Sequence, residues 1–246
     1  MNDHQKEHTQ KITNFIKKIQ INTGIKNVVL GLSGGIDSTT SLYLLKKSMA
    51  LENIFVTHLY YFKPENLSEL TKDIPQKNIY IISIKKLADD LCNQLQISEN
   101  QIRKGNIMAR IRMIILFDLA KKHNGLVCGT ENKSEHLLGY FTRFGDGASD
   151  FEPIIHLYKT QVYELAKYLE IPKTFINKKP TAGLWKNQTD EKELGFTYKE
   201  TDEVLDLYFE KKLSIKKIEK RGSNNAEKII KKVLDNNYKH LTPYHL

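Results

Sequence analysis

The segment Gly31-Leu32-Ser33-Gly34-Gly35-Ile36-Asp37-Ser38 carries the residue types that hold a polyphosphate. Its glycines let backbone N–H groups approach phosphate oxygens, and a helix starting behind them would point its positive end at the anion. Ser33 and Ser38 add hydroxyl donors. Asp37 would by itself repel phosphate, so it reads as an oxygen ligand to an intervening Mg²⁺. The plainer reading, a first-turn acid that complements the helix dipole, is compatible with that role. No lysine precedes the last hydroxyl as a GxxxxGK[ST] loop requires, which argues against a kinase-like reading.

A second polar tract, Gly129-Thr130-Glu131-Asn132-Lys133-Ser134-Glu135, leads into a glycine-rich stretch from Leu138 to Gly147 that ends in Asp150. It holds too few aliphatic residues for a buried element, and long loops of this kind usually carry function. The two cysteines and eight histidines are scattered. They form neither a nucleophile–base pairing nor a metal-ligand spacing, so catalysis by positioning and charge neutralisation is the expectation.

These tracts need elements to hold them. Lys26–Leu32 reads as a strand and Ser38–Met49 as a helix, with apolar residues at Leu42, Leu45 and Met49. Ile54–Tyr60 and Ile79–Ile84 read as buried strands, Gly125–Cys128 as another, and Pro64–Lys72 and Lys85–Leu95 as helices. One long helix spans Ser98 to His123, opened by Ser98 and closed by Asn124-Gly125; it is long enough to serve an interface. A further helix runs from Leu157 to Leu169, residues 180–194 look irregular, and Lys199–Lys211 begins the helical C-terminal part. Strands alternating with helices give an α/β fold: a doubly wound, mainly parallel sheet with helices on both faces, Rossmann-like, with ligands at the carboxyl edge.

With 246 residues, one domain is expected, beginning with a helix over about residues 1–25 and ending in a basic helical extension over about 199–246. Hydrophobic residues at 40% and charged residues at 27% place the chain among folded globular proteins. Neither a membrane span nor a signal peptide is read, so a cytoplasmic location is expected. Two distant cysteines suggest neither a disulfide framework nor a zinc site. Residues 211–240 hold ten Lys and Arg against three acids, the main source of the net charge of +9. No aromatic ladder accompanies them, so the reading is a solvated helical face and not a nucleic-acid surface.

SGGIDS resembles the loop of the ATP pyrophosphatase superfamily (adenine nucleotide alpha hydrolase-like), whose members cleave ATP between the α and β phosphates. GNIMARIRM, GTENKSEHLLGYFTRFGDGASD, LYKTQVYELA and KPTAGLW follow in the order and spacing of the ammonia-dependent NAD synthetases, spanning residues 31–185 with the first motif. The resemblance implies ATP contacts from Gly31 to Ser38 and from Thr130, Lys159 and Thr181, with Mg²⁺ held by Asp37 and Glu135. Asp37 and Lys159 would be the catalytic pair, Lys159 stabilising charge at phosphorus. Arg110, Arg143 and Asp150 match positions around deamido-NAD, with Arg143 standing where the family often has lysine. Tyr238-Lys239 aligns with the family's His-Lys contact, leaving Lys239 as a substrate residue beside a replaced histidine. Glu131 falls outside the family pattern and reads as a solvated acid, and Arg112 as structural.

The activity so implied is adenylation of the nicotinate carboxylate of deamido-NAD by ATP, then displacement of AMP by ammonia, in a homodimer without a glutamine-hydrolysing domain. A tRNA-modifying adenylating enzyme of the same superfamily and a non-catalytic ATP-binding protein are the alternatives.

Overall fold

Val28, Val29 and Leu30 are almost wholly buried although successive strand residues point to opposite faces, so their strand is covered on both sides. The computed structural model describes residues 2–240. Its elements begin with α1 (Asn2–Thr23), β1 (Asn27–Gly31), α2 (Ile36–Ser48), β2 (Ile54–Tyr60), α3 (Ser68–Thr71), β3 (Ile79–Ser83), α4 (Lys85–Gln94), α5 (Gln101–Lys122) and β4 (Gly125–Cys128). After the sheet come α6 (Lys133–Leu138), α7 (Lys159–Tyr168), α8 (Lys173–Ile176), α9 (Asp190–Leu194), α10 (Tyr198–Leu205), α11 (Ile215–Glu219) and α12 (Ala226–Asn236).

The four strands are parallel in the order β3-β2-β1-β4, with Val28 opposite both Ile54 and Leu126. Val28, Leu30, Ile54 and Val56 pack against α1, α2 and α7 on one face. Val29, Phe55 and Val127 meet α5 on the other. This is the expected α/β architecture. No helix among the described residues is long and apolar enough to cross a membrane. Cys92 and Cys128 are buried and unbridged.

Several boundaries differ from the sequence reading. The helix expected over 64–72 is reduced to α3, because the Asn66 side chain accepts from both the Ser68 N–H and hydroxyl and so closes a local turn. The long helix starts at Gln101 with Asn100 as its cap, accepting from the Arg103 N–H at 3.0 Å. Ser98 instead donates to Asn93 Oδ1. β3 is an edge strand that leaves Ile81 61% exposed, and not the buried strand expected. The tract read as irregular contains α9.

The C-terminal helices form a second apolar cluster, with Val204, Leu205, Ile218, Ile229, Ile230 and Val233 packed on Leu138 and Tyr158. Each fully buried Ile or Val contributes about 1.5–3 kcal/mol relative to exposure. In α12 Ala226, Ile229, Ile230 and Val233 face this cluster while Lys228, Lys231 and Leu234 face solvent.

Candidate active site

β1 and β4 lie side by side, yet the chain leaves β1 toward β2 on the opposite flank, so the loops after β1 and β4 part at the carboxyl edge. That crevice gathers the two polar tracts. Gly34 turns the first loop with a left-handed φ of +77°, which glycine adopts without the penalty a Cβ would bring. The Ser33 and Ser38 hydroxyls meet at 3.0 Å, and the Ser33 N–H donates to Ser38 Oγ at 3.2 Å. α2 then begins with no side chain capping its first turn. Its buried Thr39 and Thr40 hydroxyls are satisfied by the carbonyls of Gly35 and Ile36, one turn back.

Asn132 ties the tracts together. Fully buried, it caps α6 by accepting from the Glu135 N–H at 3.0 Å, and its amide donates to Asp37 Oδ1 at 2.9 Å. The helix start and the orientation of Asp37 are thus set by one side chain.

Lys159, the first residue of α7, is 2% exposed. Its Nζ donates to Asp37 Oδ2 at 2.6 Å and Glu135 Oε1 at 2.9 Å, and lies 4.9 Å from the centre of the Tyr198 ring. The Tyr198 hydroxyl stands between Asp190 Oδ2 at 3.0 Å and Glu135 Oε1 at 3.3 Å. Burial disfavours the Lys159 ammonium, but Asp37 and then Glu135 hold its pKa above that of an ordinary lysine. Burial pushes the Glu135 carboxyl upward against the pull of Lys159, and it raises Asp190 as well. Two carboxyl groups therefore hold one ammonium, and Asp190 stands one hydrogen bond further out through Tyr198. Asp37 and Glu135 each offer hard carboxylate oxygens, and they are the residues that could hold a Mg²⁺.

The amino end of α7 is fixed from a distance. The Lys159 N–H donates to Ser134 Oγ at 2.8 Å, and the Thr160 N–H to Asp202 Oδ2 at 2.8 Å. Asp190, Tyr198 and Asp202 were not singled out by sequence reasoning. Asp202 left a signal: it falls four residues after Tyr198 and three before Leu205, on the helix face that α10 buries.

The remaining sequence candidates make contacts of their own, and none of them hydrogen-bonds to Asp37, Glu135 or Lys159. Thr130 lies two residues after β4 and is half-buried. Thr181 is exposed on the segment after α8, its hydroxyl accepting from the Gly183 N–H at 3.1 Å. Arg110 in α5 donates to the Arg143 carbonyl at 3.2 Å, and the Arg143 guanidinium lies 4.9 Å from the Phe144 ring centre. Asp150 accepts from the Val127 N–H at 2.7 Å, which anchors the end of the glycine-rich loop to β4. Lys239 donates to the carbonyls of Gly139 at 2.6 Å and Phe141 at 3.0 Å, tying the chain after α12 to that loop. Arg112 donates to the Leu59 carbonyl at 3.1 Å, a structural contact.

Glu131 is not the solvated acid expected. α6 begins only at Lys133, and the Glu131 side chain is 9% exposed, with Oε2 3.4 Å from His136 Nδ1. Burial raises its pKa. Beside it, Glu152 accepts from the Glu131 N–H at 3.0 Å and the Ser149 hydroxyl at 2.8 Å. Its carboxylate lies so close over Gly129 that a first side-chain carbon there would sit 1.8 Å from Oε1.

Comparisons with known proteins agree with this geometry. Residues 8–243 match the family model described as NAD synthase. The NH₃-dependent NAD⁺ synthetase of Thermococcus kodakarensis is 41% identical over 222 residues, 89% of this chain and 87% of the relative. The NMN synthetase of Francisella tularensis superposes with a TM-score of 0.81 at 34% identity, covering 98% of this chain and 97% of the other. The NH₃-dependent NAD synthetase of Campylobacter jejuni, solved with nitrate, gives 0.81 at 32% identity and 98% of both chains. A conserved architecture over nearly the whole length, joined to the family-model match, means that this chain belongs to the NAD synthase family.

Proposed function

We propose that the chain is an ammonia-dependent NAD synthetase, a ligase that adenylates the nicotinate carboxylate of deamido-NAD with ATP and amidates it with ammonia. The observation that carries this reading is the buried Lys159 ammonium between Asp37 and Glu135, beside a glycine loop at the sheet's carboxyl edge. Family membership favours it over a tRNA-modifying or a non-catalytic ATP-binding protein.

A carboxylate is a poor acyl donor because its leaving group would be oxide. In the first step a carboxylate oxygen bonds to the α-phosphorus and the bond to the bridging oxygen breaks, releasing pyrophosphate. In the second, ammonia attacks the carbonyl carbon, AMP leaves and the nitrogen sheds its proton. The backbone from Gly31 to Ser38 and the two serine hydroxyls would cradle the phosphates, joined by Thr130 and Thr181. Lys159 supplies positive charge where negative charge develops at phosphorus. Asp37 and Glu135 would hold Mg²⁺, whose chemistry there is neutralisation of phosphate charge. Arg110, Arg143, Asp150 and Lys239 are assigned to the dinucleotide; the first two add cationic donors matched to its phosphates.

A homodimer is part of the reading, with α5, which leaves Ile114 61% exposed, as interface helix; light scattering tests it. The compartment proposed is the cytoplasm, which suits two unbridged cysteines.

Purified protein is incubated with ATP, Mg²⁺, ammonium and either deamido-NAD or nicotinate mononucleotide, with NAD, AMP and pyrophosphate measured separately. Equal amounts of NAD, AMP and pyrophosphate support the proposal. Amidation of the mononucleotide alone would reassign the substrate, and no amide from either would overturn the reading.

A further inference from the structure

The phosphate loop contains no lysine of its own, yet one reaches it from elsewhere. Lys178 lies two residues after α8, and a first side-chain carbon built on Gly34 would sit 3.6 Å from its Nζ. The same point is 3.7 Å from Glu65 Oε2, and Lys178 Nζ pairs with Glu65 Oε1 at 2.8 Å. An opposed pair of charges thus stands over the glycine at the turn of the loop.

The pair is built into the loop by a buried imidazole. The Glu65 N–H donates to His58 Nε2 at 3.0 Å, so that nitrogen is the acceptor and the proton resides on Nδ1. Nδ1–H in turn donates to the Leu32 carbonyl at 2.9 Å. His58 is 6% exposed. One ring therefore connects the phosphate loop at Leu32 to the backbone that carries Glu65, fixing the carboxylate beside Gly34.

Both charged side chains remain partly open to solvent, 31% for Lys178 and 45% for Glu65, so their mutual attraction is weak and readily exchanged. A polyphosphate on the loop would repel Glu65 and attract the ammonium. We propose that Lys178 is a further phosphate-contacting residue, and that Glu65 is the partner it gives up when a nucleotide binds. This rests on the reading of residues 31–38 as the ATP-phosphate loop. Thr181, three residues further along the same segment, would reach the nucleotide from the same side.

The opposing signs of the two residues make the test sharp. Steady-state kinetics with ATP varied are compared for the full chain and for Lys178→Met, Lys178→Arg, Glu65→Gln and the Lys178→Met/Glu65→Gln double variant. Lys178→Met is expected to raise KM for ATP about tenfold, the scale of one charge-assisted hydrogen bond, with kcat within about twofold. Lys178→Arg, which keeps the charge, should recover most of the loss. Glu65→Gln should lower KM by about twofold to threefold, as expected for removing a competing surface ion pair, and have no effect once Lys178 is Met. Gly34→Ala, which alters the loop itself, separates the two levels of inference. If it raises KM while Lys178→Met does not, the loop reading stands and the role of Lys178 falls. If neither changes KM, both fall. A Glu65→Gln variant that raises KM as much as Lys178→Met would mean that the pair only props the loop, and would overturn the proposal.

Discussion

Ser134 and Asp202 are 68 residues apart in sequence and meet in the interior, the serine hydroxyl donating to Asp202 Oδ1. Each also accepts a backbone N–H from the first turn of α7, whose first side chain is Lys159. A helix of the C-terminal part thus aligns the central ammonium. Asp202→Ala should cost about 1 kcal/mol for the lost helix cap. It should also lower kcat by about tenfold, the equivalent of roughly 1.4 kcal/mol of transition-state stabilisation, while KM for ATP changes little. Asp202→Asn keeps an acceptor for the Thr160 N–H and should recover most of the rate. An unchanged kcat in the alanine variant would show that the alignment is not needed.

Lys159→Met should destabilise the fold by about 3–5 kcal/mol, because it leaves Asp37 and Glu135 buried without their counter-charge. Adding Glu135→Gln should restore part of that stability in urea unfolding without restoring NAD formation. Equal stability of the single and double variants would contradict the coupling inferred from the 2.6 and 2.9 Å contacts.

Metal dependence separates ligands from bystanders. With ATP fixed and Mg²⁺ titrated, Asp37→Asn or Glu135→Gln should move the activation midpoint upward by at least about tenfold, the loss that even outer-shell partners of a metal produce. A midpoint unchanged in both variants would remove these carboxylates from the metal's shell.

Glu152 makes a pH prediction. Burial, helped by the charge of Glu131, pushes its carboxyl from 4.5 up to about 7. At this group the native state then holds more protons than the unfolded chain between those two values, so its contribution to stability falls as pH rises through about 4.5 to 7 and is level outside that window. The Glu152→Gln amide can accept from the Glu131 N–H and donate to Ser149 Oγ, mimicking the protonated acid. It should therefore gain on the wild type by up to about 3 kcal/mol across the window. Parallel stability curves for the two proteins would show that the group does not titrate there.

The sheet was legible because its strands are short apolar runs closed by glycine or polar turns, and Ile54–Tyr60 and Gly125–Cys128 fall where periodicity placed them. Asp37, Glu135 and Lys159 could be named because their motifs are local. Asp190 and Tyr198 could not, since their part depends on contacts reaching back to Glu135 across most of a second core. The burial of Glu131 was hidden for a related reason. It is set by Glu152 and His136, and nothing in the GTENKSE string says that the chain folds back over it.

The order of the elements along the chain has a consequence for synthesis. A ribosome delivers the four strands and the glycine loop well before Asp190, Tyr198 and Asp202. A nascent chain can thus assemble the sheet and the glycine loop while the ammonium of Lys159 still lacks the residues that align it. Alignment of that ammonium by the C-terminal part is deferred until the chain is nearly complete.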